Sequence, residues 1–313
     1  MHSLVRTLRL GAFLGAGFAA GAGAAAAGGG AAGAWLDLGG GARAAAMANA
    51  FAALADDPSA LFFNPAGLDQ IPGVQAQLTY HRPYGRVADI SYANAALSYN
   101  MSGRGFALGT FGAGVNYFRA GGIPEAGALG LTGRTFSDYE MALVLGWGKA
   151  LGGNVVAGEE PRYHFGLAAK IISTKIYEYA DGGFGLDAGF LFRPFPPVRV
   201  GVAFANVVAP NIELLNIRDI YPATARLAAA YDFAPGFVAT VEGRVRKDGD
   251  TGVAVGGEAA LGRSIVLRGG YRYPEKMPAA GLGVKVSRYG FDFCWRPHRD
   301  LGDSLVATVA AAW

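Results

Sequence analysis

Residues 41–68 read GARAAAMANAFAALADDPSALFFNPAGL, and the fold turns on how this stretch is read. From Ala42 to Ala55 nearly every residue is a good helix former, and Met47, Phe51 and Leu54 are spaced to share a face, which predicts a short amphipathic helix. Pro58 biases Asp57 away from helical angles, so the helix stops at Asp56-Asp57 and Ser59 restarts a turn. Pro65 extends Asn64 and frees its side-chain amide to bond neighbouring backbone, while Gly67 closes a tight Asn64-Pro65-Ala66-Gly67 turn. The stretch is too short and too polar to span a bilayer. It is a folded insert, because after Ile71-Pro72-Gly73 the apolar period switches to two.

The switch is clearest between Phe237 and Arg246. Phe237, Ala239, Val241, Gly243 and Val245 point one way, and Val238, Thr240, Glu242, Arg244 and Arg246 the other. One face suits lipid and the other is polar. The same alternation predicts about fourteen strands, at 74–81, 89–100, 105–118, 138–149, 162–175, 183–193, 198–206, 223–233, 237–246, 251–261, 264–273, 280–287, 289–296 and 303–313. Most are near the roughly 9–11 residues needed to cross a bilayer on a tilt. The fold class is therefore all-β, a transmembrane antiparallel barrel with a short N-terminal helical plug. An even strand number puts the two longest connections, 119–137 and 207–222, on one side and most tight turns on the other, with one exception, a long connection at 150–162 on the tight-turn side. Tyr80, Tyr99, Tyr117, Tyr139, Trp147, Tyr231 and Trp295 lie towards strand ends, which suits interfacial girdles, the alternative being the ordinary enrichment of aromatics in β-sheets.

Composition agrees with a barrel. With 49 glycines among 313 residues, 19 phenylalanines, 14 tyrosines and only 16% charged residues, the surface must be unusually apolar. A formal charge of +3 with no basic run excludes a nucleic-acid partner. The sole cysteine, Cys294, excludes an internal disulfide, and no cysteine near the N-terminus offers a lipid attachment site. Arg6 and Arg9, an apolar run and an alanine-rich stretch mark residues 1–27 as an export signal. The domain reading is then signal 1–27, plug or hatch 28–73 and barrel 74–313.

No catalytic constellation emerges, so the chain reads as non-enzymatic. His2, His81, His164 and His298 are isolated and read as loop or interface residues, leaving no metal site. The Gly39–Gly41 run and Gly281-Leu282-Gly283 lack the Gly-Lys-Ser/Thr of a phosphate cradle, so no nucleotide or other cofactor is expected. Asp56 and Asp57 read as a helix stop. The alternation aims Glu140, Lys170, Asp187, Arg226, Asp232, Glu242, Arg244, Glu258, Arg268, Arg272, Lys285 and Asp292 inward. A dry lumen requires them to pair. The predicted pairs are Lys170 with Asp187, Glu242 or Arg244 with Glu258, and Lys285 with Asp292.

The run GARAAAMANAFAALADDPSALFFNPAGL resembles the N-terminal motif of the PorV/PorQ outer-membrane proteins, roughly GARAAGMGGAFTALADDASALYWNPAGL, and more distantly the Asn-Pro-Ala hatch of FadL-type channels. VRVGVAFANV at 198–207, YPATARLAAAYDF at 221–233, VLRGGYRYPE at 266–275 and FCWRPHRDLGD at 293–303 look like the same family. The chain departs from the motif at Ala46, Ala48 and Asn49, where the pattern has glycine. The resemblance implies a bacterial outer-membrane barrel, in contact with lipid, that binds or hands on exported proteins to a type IX-like secretion or attachment complex. The more distant likeness implies a passive channel for hydrophobic small molecules such as long-chain fatty acids. In either case the hatch residues are Asn64, Pro65, Ala66, Gly67, Asp56 and Asp57.

Overall fold

The period-2 segments form one closed sheet. A computed structural model describes residues 32–85, 89–101, 108–127, 130–152, 162–214 and 217–313. Its strands are β1 (Val74–Arg82), β2 (Asp89–Asn100), β3 (Thr110–Gly127), β4 (Gly130–Leu151), β5 (Tyr163–Ile176), β6 (Tyr179–Phe195), β7 (Val198–Val208), β8 (Asn211–Leu214), β9 (Ile217–Ile220), β10 (Thr224–Ala234), β11 (Phe237–Arg246), β12 (Thr251–Leu261), β13 (Ile265–Tyr273), β14 (Met277–Val286), β15 (Tyr289–Arg296) and β16 (Ser304–Ala312). Fourteen of them close an antiparallel barrel in which each strand pairs with its neighbour in the chain, β7 pairs with β10, and β1 pairs with β16. β8 and β9 form a separate small hairpin. Closure leaves no unpaired edge, which a β-structure in lipid requires.

The in/out register follows the alternation. Val241, Val255, Leu267 and Phe293 are each more than two-fifths exposed, whereas Glu242, Ala254, Val266 and Cys294 are buried. Outward aromatics fall in rows: Tyr99 pairs with Phe111, and Phe111 with Trp147, at the short-turn end. At the opposite end the rings of Tyr117 and Tyr139 lie 6.5 Å apart.

Three expectations need correction. The connection at 119–137 is mostly strand: β3 and β4 run on past the barrel rim as a hairpin, with a register shift after Ala120. The connection at 207–222 carries the β8–β9 hairpin, and at its start Asn206, with φ 60°, bulges out of the β6–β7 ladder. The helix expected over 42–55 covers only Ala42–Ala46. Ala48, Asn49 and Ala55 take left-handed angles instead, and the chain becomes helical again only at Ala60–Phe63 and, as a 3-10 turn, at Pro65–Gln70. Helix propensity is overridden because the wall offers the backbone other partners. The export signal at 1–27, most of the 150–162 connection and the start of the third predicted strand lie outside the described residues.

Candidate functional site

The segment 34–71 fills the lumen. Trp35 lies at the end bearing the β3–β4 extension and the β8–β9 hairpin, and the segment leaves at the short-turn end, where Gly73 meets Trp313. At its tightest approaches to the wall, the wall is glycine. Met47 packs on Gly256 and Gly270, where a Cβ would come within 2.6 Å of the Met47 side chain or backbone, and Pro65 packs on Gly166. Only a residue without a side chain admits so close an approach. Ala46, which replaces a motif glycine, lies against Gly281, so the missing space is supplied by the wall. Ala48 and Asn49 hold the left-handed angles that glycine adopts freely.

Wall side chains satisfy the insert's broken helix. Phe51 and Ala52 donate their backbone N–H groups to the Glu242 carboxylate at 3.1 and 2.9 Å. The Arg272 guanidinium donates to the Ala48 carbonyl at 2.9 Å. Asn64, fully buried, donates from Nδ2 to the Ala52 carbonyl at 2.8 Å and to the wall carbonyl of Phe190 at 3.3 Å, and its Oδ1 accepts from Ala66 N–H at 3.2 Å. The four residues Asn64-Pro65-Ala66-Gly67 thus join plug to wall, and Gly67 N–H closes the turn on the Asn64 carbonyl at 2.9 Å without left-handed angles: it lies inside the 3-10 turn, and its glycine identity serves close contact with the Ala55 backbone.

Charge joins the two as well. Arg43 reaches Asp56 at 2.6 Å, Asp57 at 3.2 Å and Glu258 at 2.8 Å, and Arg199 of the wall approaches Asp56 at 3.5 Å. Asp57 also accepts from Ser59 N–H and Oγ–H. Burial pushes the Asp57 carboxyl up, whereas at Asp56 the effect of burial is outweighed by Arg43 and Arg199, which hold it below the usual carboxylate range. Asp37 is gripped by Arg226, Arg244 and Arg246 at 3.1–3.2 Å.

The wall charges pair less locally than the sequence suggested. Lys170 and Asp187 meet at 2.7 Å. Glu242 instead takes Arg226 at 3.3 Å, Glu258 takes Arg43 and Arg268, and Arg244 takes Asp37 and Asp250. Lys285 is an outright correction: it is exposed at the short-turn end opposite Gly290, and Asp292 is taken by Arg268 at 2.5 Å. Asp232 pairs with Arg199 at 2.7 Å. His81 and His164 are not loop residues but buried inward, His81 at 3.0 Å from Arg296 and His164 at 3.3 Å from Asp69 of the plug. Sequence reasoning missed Asp37, Arg43 and Arg199. Arg43 carried a signal, as a lone cation inside an alanine run with two acids thirteen and fourteen residues on.

Empty space is stacked along this lumen. At the long-loop end a cavity of about 400 Å³ is bounded by Trp35, Phe118, Ile212, Tyr221 and Glu140, within the ~300–1,000 Å³ range of small-molecule sites. Below it, a space of about 60 Å³ lies between Leu61, Phe62, Lys170 and Arg226. A third, of about 290 Å³, lies at the short-turn end beside Asp56, Arg199 and Asp232. The plug separates them. Among the described residues no cluster able to hold a metal ion occurs.

No family model matches the sequence, and a search of curated proteins finds no match. In fold the chain is similar to a TodX deltaS2S3 mutant monoaromatic hydrocarbon channel, with TM-score 0.65 and 13% identity over 88% of this chain and 99% of that one. It is similar to the CymD monoaromatic hydrocarbon channel, with TM-score 0.60 and 14% identity over 88% and 98%. It is also similar to a FadL homologue from Pseudomonas aeruginosa, with TM-score 0.60 and 12% identity over 87% and 98%. The PorV/PorQ resemblance rests on sequence motifs alone. What the comparisons establish is the architecture: a FadL-like closed barrel of fourteen antiparallel strands.

Proposed function

We propose that the protein is an outer-membrane channel for hydrophobic small molecules, with the segment 34–71 as its hatch. The observation that carries this reading is the cavity of about 400 Å³ at the long-loop end, walled partly by aromatic side chains and floored by a plug that closes the lumen. The exterior supports a membrane location. Leu78, Leu145, Ile171 and Phe184, each at least half exposed, would face water in a soluble protein. Long connections of outer-membrane barrels face outward, which places the cavity where ligand arrives and the short turns inside. Two of the similar solved structures are themselves monoaromatic hydrocarbon channels, and they support this reading over a PorV-type carrier of exported proteins.

Passage along the lumen from the long-loop cavity to the space at the short-turn end requires the hatch to shift, since the segment 34–71 lies between them. The test is uptake of radiolabelled toluene by cells lacking and expressing the protein. Expression should speed entry, and a version with Trp35 and Asp37 cross-linked to the wall through engineered disulfides should not. Equal entry in all three strains would overturn the channel reading.

A further inference from the structure

The long-loop cavity is distinctive for its charge. Asp138, Glu140 and Asp219 border it, and among the described residues no Lys, Arg or His does. Elsewhere in the lumen every carboxylate discussed above meets a guanidinium, an ammonium or a histidine. Here the Glu140 carboxylate accepts from Tyr221 O–H, at 2.9 Å, and meets no cation among the described residues, while Tyr221 in turn accepts from Trp35 Nε1–H at 3.3 Å. Two further oxygens on the cavity wall, Asp138 Oδ1 and Thr174 Oγ1, are buried without a hydrogen-bond partner, and Thr174 is only 9% exposed. Buried polar atoms ordinarily have partners, and buried carboxyls ordinarily have a cation.

The remaining lining is apolar and aromatic. The Trp35 ring lies 6.3 Å from both Tyr92 and Phe118, and Ile90, Ile176 and Ile212 complete the surface. A ligand matching all of this has an apolar body, a cationic head with several N–H donors, and a ring or chain small enough for about 400 Å³. We infer that the cavity selects protonated amines with apolar bodies, accepts neutral molecules less well, and rejects carboxylates. This rests on the channel reading above and adds the charge of the cargo. A fatty acid would meet like charge at the entrance, while an ammonium would donate to Asp138, Glu140 and Thr174 and lie against aromatic faces that favour cations.

The experiment uses the full-length barrel in detergent at pH 7.5. Quenching of Trp35 is followed, with the Trp35→Phe protein subtracted, on titration with 2-phenylethylammonium, 2-phenylethanol and phenylacetate. The ammonium should bind about tenfold or more tighter than the carboxylate, with the alcohol between, as expected for charges meeting at partly desolvated sites. Asp138→Asn with Glu140→Gln should bring the ammonium to the affinity of the alcohol and leave the alcohol unchanged. Should that pair fail to assemble, Asp219→Asn at the exposed hairpin should reduce the ammonium preference by about threefold. Carboxylate binding as tight as ammonium overturns the charge selectivity and leaves the channel reading standing. Failure of all three probes to bind removes both.

Discussion

Asn64 shows how one side chain can hold two structural layers together. Its amide spans from the plug carbonyl of Ala52 to the wall carbonyl of Phe190 while its carbonyl oxygen caps the 3-10 turn. Truncation would leave these groups buried and unsatisfied, at about 1–3 kcal/mol. Asn64→Ala should therefore keep a heat-modifiable barrel on gels, because wall ladders do not involve it, yet raise solute entry in liposome swelling. Unchanged swelling would show that Asn64 does not hold the hatch. The sequence made Asn64 legible because proline at the next position fixes its backbone. It did not reveal Asp37, whose three arginine partners lie roughly 190–210 residues away and become neighbours only through barrel closure.

At the scale of the element, strands were far more legible than the helix. A period of two needs only a lipid side and a lumen side, and both follow from closure, so β11, β12 and β15 were placed to the residue. The helix failed because its carbonyls and N–H groups had better offers: Glu242 and Arg272 reach in and bond backbone that a regular helix would have kept. The expected partner of Lys285 failed for a related reason. Arg268, longer and forked, spans from Glu258 to Asp292 and leaves nothing for a lysine at the strand end. The strand register itself can be tested at Val241, which is 45% exposed on the outer face. Val241→Arg should weaken the barrel by roughly 2–4 kcal/mol if it lies near the bilayer midplane, whereas Val241→Leu should be neutral. The check is the denaturant midpoint for refolding into lipid vesicles, and equal midpoints would place residue 241 away from the hydrocarbon.

The whole molecule has a direction. Its extended β3–β4 hairpin, with Leu131 75% exposed near the tip, belongs to the same end as the acidic cavity, and Arg263 belongs to the opposite, tight-turn end. The native thiol at Cys294 is fully buried and will not interfere with labelling. Leu131→Cys should react with an impermeant maleimide on intact cells, and Arg263→Cys only after the outer membrane is opened. The reverse pattern would invert the orientation.

The grip of Arg226, Arg244 and Arg246 on Asp37 has an electrical consequence. The plug brings acids to a wall sector that is rich in guanidinium groups, so the closed molecule is nearly balanced inside. Remove the plug and those cations, with Arg199 and Arg272, are left facing water in a confined bore. Such a bore gathers counter-ions of the opposite sign. A barrel deleted of residues 34–64 and placed in a planar bilayer under a potassium chloride gradient should conduct, and its reversal potential should lie on the chloride side. A potential on the potassium side would mean that the lumen rearranges its charges once emptied. In the intact protein these cations are instead taken up by plug carboxylates, so the charge that would draw anions through an emptied barrel is what ties Asp37 to the wall.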